Sequence, residues 1–207
     1  ESQSRFYENI IGRSEAFISL IFPKIKELFP EQFENVSAHD FYLAVNKAEP
    51  SLIRTEADEL TYSMHIMIRY EIEKRLMDGS LSTKDLPNEW NRLYKEYLGI
   101  DVPCDSMGCL QDSHWSGGAL GYFPSYSLGS AYGAQFLYKM KQDIDIDKLV
   151  SENRIDEVTA WLTEKIHKYG MLLTPAQLIE NACGEEFNAD YYIEYLTEKY
   201  KKIYDLK

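Results

Sequence analysis

The sequence predicts a mainly α-helical protein, and three observations carry that expectation. Apolar residues recur three or four positions apart along most of the chain. Two helix starts are written in capping-box chemistry, Ser37 with Asp40 and Thr174-Pro175 with Gln177. Glycine is densest in one stretch, 99–125, which holds five of the 11 glycines together with Pro103 and Pro124.

The elements follow in order. Residues 2–21 carry Phe6, Ile10, Phe17 and Ile21 on one stripe of a first helix, and Pro23 suits the first turn of a second, short one. Ser37 and Asp40 open a short helix over 41–45, which Pro50 ends. A long helix is expected over 56–77, with Leu60, Met64, Ile68, Ile72 and Leu76 at i,i+4 spacing, Glu71 and Arg75 as an outer ion pair, and Gly79 as its stop. Asn88 suits the cap of a helix running to Leu98. The stretch 99–125 holds Gly99, Gly108, Gly117, Gly118, Gly121, Pro103 and Pro124, and reads as loop or short strand. Helices are expected over 126–141 and 156–169, with an acidic connector at 143–151 between them. A further helix follows Thr174, and Asn188 caps a last one carrying Tyr192, Leu196, Tyr200, Ile203 and Tyr204. No repeat, low-complexity run or linker interrupts this pattern, so residues 1–207 read as a single helical unit, weakest at 143–151.

Composition narrows the function classes. Of 207 residues, 22 are Lys or Arg and 34 Asp or Glu, a net charge of −12. Such an acidic surface repels phosphate backbones and anionic lipid, which argues against nucleic-acid and membrane-surface roles. No run approaches the roughly 20 apolar residues of a membrane span, and no signal peptide opens the chain. The first residue is not Met and falls in mid-pattern, so we read it as an internal boundary of a longer polypeptide. Cys104, Cys109 and Cys183 are odd in number and lack zinc-site spacing, as expected of free thiols in a reducing cytoplasm.

Three segments concentrate reactive side chains. In Glu1-Ser2-Gln3-Ser4-Arg5, a helix would place Glu1, Ser4, Arg5 and Glu8 on one polar face, either simply solvated or projecting a carboxylate into a site. Arg54, at the junction before the long helix, either forms a structural salt bridge with Glu56 or Asp58 or aims a fork of donors at a carboxylate. Between Gly108 and Tyr126, polar groups crowd a glycine-bearing segment. Asp112 could orient His114, and Tyr122 or Tyr126 could donate to an oxyanion; equally, His114 and Trp115 could be packed inside a loop. His39, His65 and His167 fall in ordinary helical positions. No H-E-x-x-H, nucleotide-binding glycine loop or G-x-S-x-G elbow occurs.

Taken together and in order, these segments resemble the carboxypeptidase Taq family of zinc metallopeptidases. That family carries H-E-S-Q-S, I-R-x-x-A-D and G-x-x-Q-D-x-H-W; here the counterparts are Glu1-Ser2-Gln3-Ser4, residues 53–58 and residues 108–115, the first without its leading His. The resemblance spans the chain, which would be roughly the last two-fifths of the family's length. It implies that Glu1 is the third zinc ligand and that Arg54 holds the substrate's C-terminal carboxylate. Gln111, Asp112 and His114 would line the cleft, with Tyr122 or Tyr126 stabilising the oxyanion. It further implies a zincin-like helical half-domain with a small β element near the cleft, peptide substrates with a free C-terminal carboxylate, zinc (or cobalt) in the parent enzyme, a cytoplasmic location and a homodimer. Zinc catalysis needs three protein ligands and an open position. With the H-E-x-x-H helix outside these residues, the chain alone is expected to hold no zinc and cleave nothing. The rival reading is a non-catalytic helical binding or scaffold module; a metal-free hydrolase built on Asp112 and His114 is the remote third.

Overall fold

A computed structural model describes all of residues 1–207. Ten α-helices, joined by loops and short π and 3-10 turns, build the structure: α1 Ser2–Arg5, α2 Glu15–Leu28, α3 Ala38–Val45, α4 Tyr62–Met77, α5 Leu86–Leu98, α6 Pro124–Asp143, α7 Ile146–Ser151, α8 Ile155–Lys165, α9 Pro175–Cys183 and α10 Asp190–Ile203. None is long and apolar enough to cross a membrane. The chain divides into two compact units, one of residues 1–46 with 129–207 and one of residues 47–128.

The expected small β element is absent; mainly α stands, but no strand occurs anywhere. The reason lies in where the 99–125 backbone spends its hydrogen bonds. Leu110 N donates to Asp105 O, Gly117 N to Ser113 O and Ala119 N to His114 O, all within a few residues. Gly99, Gly118 and Gly121 turn the chain with φ of 74°, 79° and 77°. No extended run is left to pair with a neighbour.

The first unit buries Phe6, Ile11, Phe136, Met140, Val158, Leu162 and Ile179 in one core. The expected continuous helix over 2–21 is interrupted. α1 passes into a π-helical turn, Phe6–Ile11, which ends where Gly12 N donates to Tyr7 O at 2.8 Å. A Cβ on Gly12 would sit 2.7 Å from the Glu8 carbonyl. Ser14 then caps α2, accepting from Phe17 N at 3.1 Å. Pro23 does not open a helix but lies inside α2. It and Ser19, one turn back, are both exposed, so the carbonyl that proline cannot satisfy is left to water. The acidic 143–151 stretch is also helical: Asp145 caps α7, whose Ile146, Leu149 and Val150 are buried. Both capping boxes form as the sequence indicates, at Ser37/Asp40 and Thr174/Gln177.

The second unit packs α4 against α5. Ile68, Ile72, Trp90, Leu93, Tyr94 and Leu98 form its main core, and Ala57, Tyr62, Ile66 and Phe123 a smaller one. α4 starts later than 56, because Asp58 stops it. The Asp58 carboxylate accepts from Thr61 N (2.9 Å), Thr61 Oγ1 (2.7 Å) and Glu49 N (3.0 Å), which holds 59–61 in a turn. The expected stripe is displaced too. Leu60 and Met64 are 38% and 39% exposed, while His65, Arg69 and Glu73 are buried beside Ile68 and Ile72. Glu71 pairs with Lys74 and Arg75 with Glu89, not with each other. α5 begins at Leu86, before Asn88, with Pro87 in its first turn.

Candidate functional site

The second and third motifs both lie in the second unit. Arg54 opens a short 3-10 turn, Arg54–Glu56, and its guanidinium is buried. Nε and Nη2 donate to Asp112 Oδ1 at 3.0 and 2.7 Å, and Nη1 donates to the Tyr62 hydroxyl at 3.0 Å. The Tyr126 ring lies 4.8 Å from the guanidinium carbon. Three of five N–H bonds are thus committed, one on each nitrogen, leaving one N–H on each Nη. Asp112 Oδ2 faces a second arginine, Arg69 of α4, which donates from Nε at 2.7 Å and stacks on Trp90 at 4.6 Å. Burial alone would raise the Asp112 pKa; the Arg54 bonds and the charges of both arginines outweigh it and lower it. Burial likewise opposes the Arg54 charge, and Asp112 overrides it.

The remaining motif residues divide between holding and facing. Gln111 spends its amide on the backbone that carries Arg54: it accepts from Arg54 N at 2.8 Å and donates to Leu52 O at 3.0 Å. Gly108 is required by space, since a Cβ there would meet Val102 Cγ1 at 2.8 Å. His114 is not bonded to Asp112; the nearest approach is 3.9 Å. Its Nε2 meets the Tyr126 hydroxyl at 2.9 Å, and Phe123 stacks on the ring at 4.3 Å. Its Nδ1 is buried with no hydrogen-bond partner. Tyr122 packs edge-on against Tyr126 at 5.3 Å and is 42% exposed. Of the residues picked out from sequence, the second unit therefore gathers Arg54, Gln111, Asp112, His114, Tyr122 and Tyr126.

Glu1 belongs to the first unit. It is exposed at the start of α1, and Ser4 Oγ donates to its carbonyl at 2.9 Å. Gln3 Oε1 accepts from His167 Nε2 at 2.7 Å, a contact between residues 164 apart that sequence reasoning missed. Gly129 of α6 touches this motif directly: a Cβ there would lie 2.8 Å from Glu1 Cβ and 2.9 Å from Ser2 N. At Gly133, one turn on, the nearest atom would be an ordinary 3.5 Å away. Gly129→Ala is therefore expected to displace α1 and destabilise by about 1–3 kcal/mol, whereas Gly133→Ala is neutral or mildly stabilising. Chemical denaturation of the two variants checks this; equal effects would remove the close approach as the cause.

No group of three or more His, Cys, Asp or Glu is placed to hold a metal. These residues do not by themselves fit a metal ion, and Glu1 alone is one exposed carboxylate.

Sequence reasoning also passed over the polar face of α4. Tyr62, His65, Arg69 and Glu73 recur at i,i+3 and i,i+4 within an apolar helix, and that spacing was the available signal. His65 is fully buried, with Nδ1 3.1 Å from the Tyr94 hydroxyl. Burial, helped by the Arg69 charge, lowers its pKa from 6.5 to about 4. Between those values the unfolded chain binds the proton and the folded chain does not. Stability present above pH 6.5 is therefore lost as pH falls toward 4. His65→Gln should remove about 2 kcal/mol of the stability difference between pH 7 and pH 5, read by urea unfolding at both. An unchanged difference would mean that His65 is protonated in the fold.

A profile described as Carboxypeptidase Taq (M32) metallopeptidase matches residues 1–200. Carboxypeptidase 1 of Bacillus subtilis (strain 168) is 49% identical over 205 residues, covering 99% of this chain and 41% of its own length. Thermostable carboxypeptidase 1 of Pyrococcus furiosus is 44% identical over 201 residues, covering 97% and 40%. The BsuCP crystal structure superposes with a TM-score of 0.95 at 48% identity, over 98% of this chain and 41% of that one. The chain thus spans about two-fifths of the length of the relatives it matches.

Proposed function

Because the chain belongs to the carboxypeptidase Taq (M32) metallopeptidase family, we propose that the polypeptide containing it is a metallocarboxypeptidase that releases single amino acids from peptide C-termini. The observation that carries this reading is the setting of Arg54. Its guanidinium is held on two sides by Asp112 and Tyr62, with one N–H left on each Nη. A planar fork fixed in this way matches a carboxylate with two parallel hydrogen bonds at little further cost in side-chain entropy. Arg54 receives the terminal carboxylate; Asp112, Gln111 and Arg69 keep it in place. The Tyr122 and Tyr126 hydroxyls are the candidate donors to the oxyanion, and His114 orients the second of them.

A bound metal would supply polarisation of the scissile carbonyl and an activated water. Glu1 is its candidate ligand from this chain. Zinc as the ion, a cytoplasmic location and homodimeric assembly belong to the same reading and rest on family resemblance. The 207 residues alone are expected to bind no stoichiometric zinc and turn over no substrate, since no metal-holding group is gathered in them.

The test compares an N-blocked dipeptide with its C-terminal amide, using the intact polypeptide. The free acid should be cleaved and the amide left largely intact, with activity lost to a chelator and restored by zinc. Equal cleavage of acid and amide would rule out carboxylate recognition.

A further inference from the structure

The segment carrying His114 and Tyr122 has neither strand nor disulfide to hold it. It makes a single tight turn over 113–119 and reverses at Gly118 and Gly121. At one end, Asp112 fastens it to Arg69 of α4. At the other end the fastening is Glu73, one helical turn beyond Arg69. Glu73 Oε1 accepts the Trp115 indole N–H at 2.8 Å and the Gly121 backbone N–H at 3.1 Å. Trp115 follows His114 directly, and Gly121 precedes Tyr122 directly. One oxygen therefore ties down the chain neighbours of both His114 and Tyr122. Trp115 is wedged edge-on to Trp90 (6.0 Å) and to Phe123 (5.8 Å), and Phe123 in turn stacks on His114. Glu73 is 4% exposed, and its Oε2 is buried with no hydrogen-bond partner. A polar group buried in such a place needs hydrogen-bond partners, and here one oxygen accepts from two donors.

We infer that Glu73 is a positioning residue, which sets His114 and Tyr122 against Arg54 by clamping Trp115 and Gly121 to α4. This rests on the carboxypeptidase reading above, and its test separates the two. Glu73→Gln keeps an acceptor in place, Glu73→Met removes it at similar volume, and both are made in the intact polypeptide. The Trp115 indole N–H, labelled with ¹⁵N and assigned by its loss in Trp115→Phe, reports the clamp. The Trp161 indole, bonded to Asp143 at 2.9 Å in the other unit, is the folding control.

In Glu73→Met the Trp115 indole should move upfield and exchange at least about tenfold faster while the Trp161 indole stays. With a blocked dipeptide, kcat should fall about 10- to 100-fold and KM stay within about threefold, since the Arg54 fork is anchored separately. Glu73→Gln should restore most of kcat. An unmoved Trp115 indole in Glu73→Met overturns the clamp. A moved indole with unchanged kcat overturns the positioning role while leaving the carboxypeptidase reading intact. A wild-type polypeptide with no activity defeats that reading instead, and the indole still reports on Glu73. If Glu73→Met does not fold, a Trp115 indole in the wild-type polypeptide that exchanges as fast as a free indole overturns the clamp, and a protected one supports it. Glu73→Gln then carries the kinetic comparison: kcat within threefold of wild type is the expected result, and a 100-fold loss refutes an acceptor-only role.

Discussion

Replacing Asp112 with alanine is expected to destabilise the protein by about 3–5 kcal/mol, the cost of leaving buried charges unpaired. Two arginines depend on this one carboxylate. Arg54 reaches Oδ1 and Arg69 reaches Oδ2, with Arg69 fully buried and Arg54 nearly so. Removing Asp112 strands two guanidinium groups in a region packed by Trp90, Phe123 and Tyr126. Asp112→Asn keeps the shape and one acceptor oxygen, so it should cost less but still leave one arginine poorly matched. Because the folded-state carboxyl pKa is lowered, the contribution is present at neutral pH and is lost as pH falls through that lowered value. Urea unfolding at pH 7 reads the difference; a loss below about 1 kcal/mol would mean that water replaces the carboxylate.

Removing Arg54 should act on turnover more than on folding. Arg54→Ala leaves Asp112 paired with Arg69, so the second unit keeps its buried ion pair. In the intact polypeptide, kcat/KM for a blocked dipeptide is expected to fall about 10²- to 10³-fold, the worth of two charge-assisted hydrogen bonds to a carboxylate. Arg54→Lys should recover little of this, because an ammonium carries the charge without the planar fork. Steady-state kinetics on the three proteins decides the matter. Activity within threefold of wild type in Arg54→Ala would make this arginine a structural partner of Asp112 and nothing more.

How much of this was legible beforehand depended on the range of the interaction. Capping boxes at Ser37 and Thr174 are local chemistry, contained within four residues, and formed as read. The buried face of α4 was misread because its polar members are satisfied from far away. Arg69 is paired with Asp112, 43 residues on, and Glu73 accepts a hydrogen bond from Trp115, 42 residues on. A helix with such partners carries its polar residues inward and leaves Leu60 and Met64 outside. The acidic letters of 143–151 hid an apolar triplet, Ile146, Leu149 and Val150, that only a core partner makes visible. At the site, the motifs identified which residues matter, and the structure redistributed their work. Gln111 and Asp112 turn out to grip Arg54, and His114 turns toward Tyr126 instead of Asp112.

The absence of any strand around the 108–123 loop has a consequence for engineering. A loop hung on a sheet brings its own backbone ladder and tolerates transplantation. This one takes its shape from side chains elsewhere, Arg54 and Arg69 at one end and Glu73 at the other. Grafted alone onto another scaffold, it would arrive without the groups that shape it. The smallest portable piece is the loop together with the 53–58 turn and the inward face of α4. Sequence libraries that diversify the loop while ignoring positions 54, 69 and 73 should yield mostly misshapen variants.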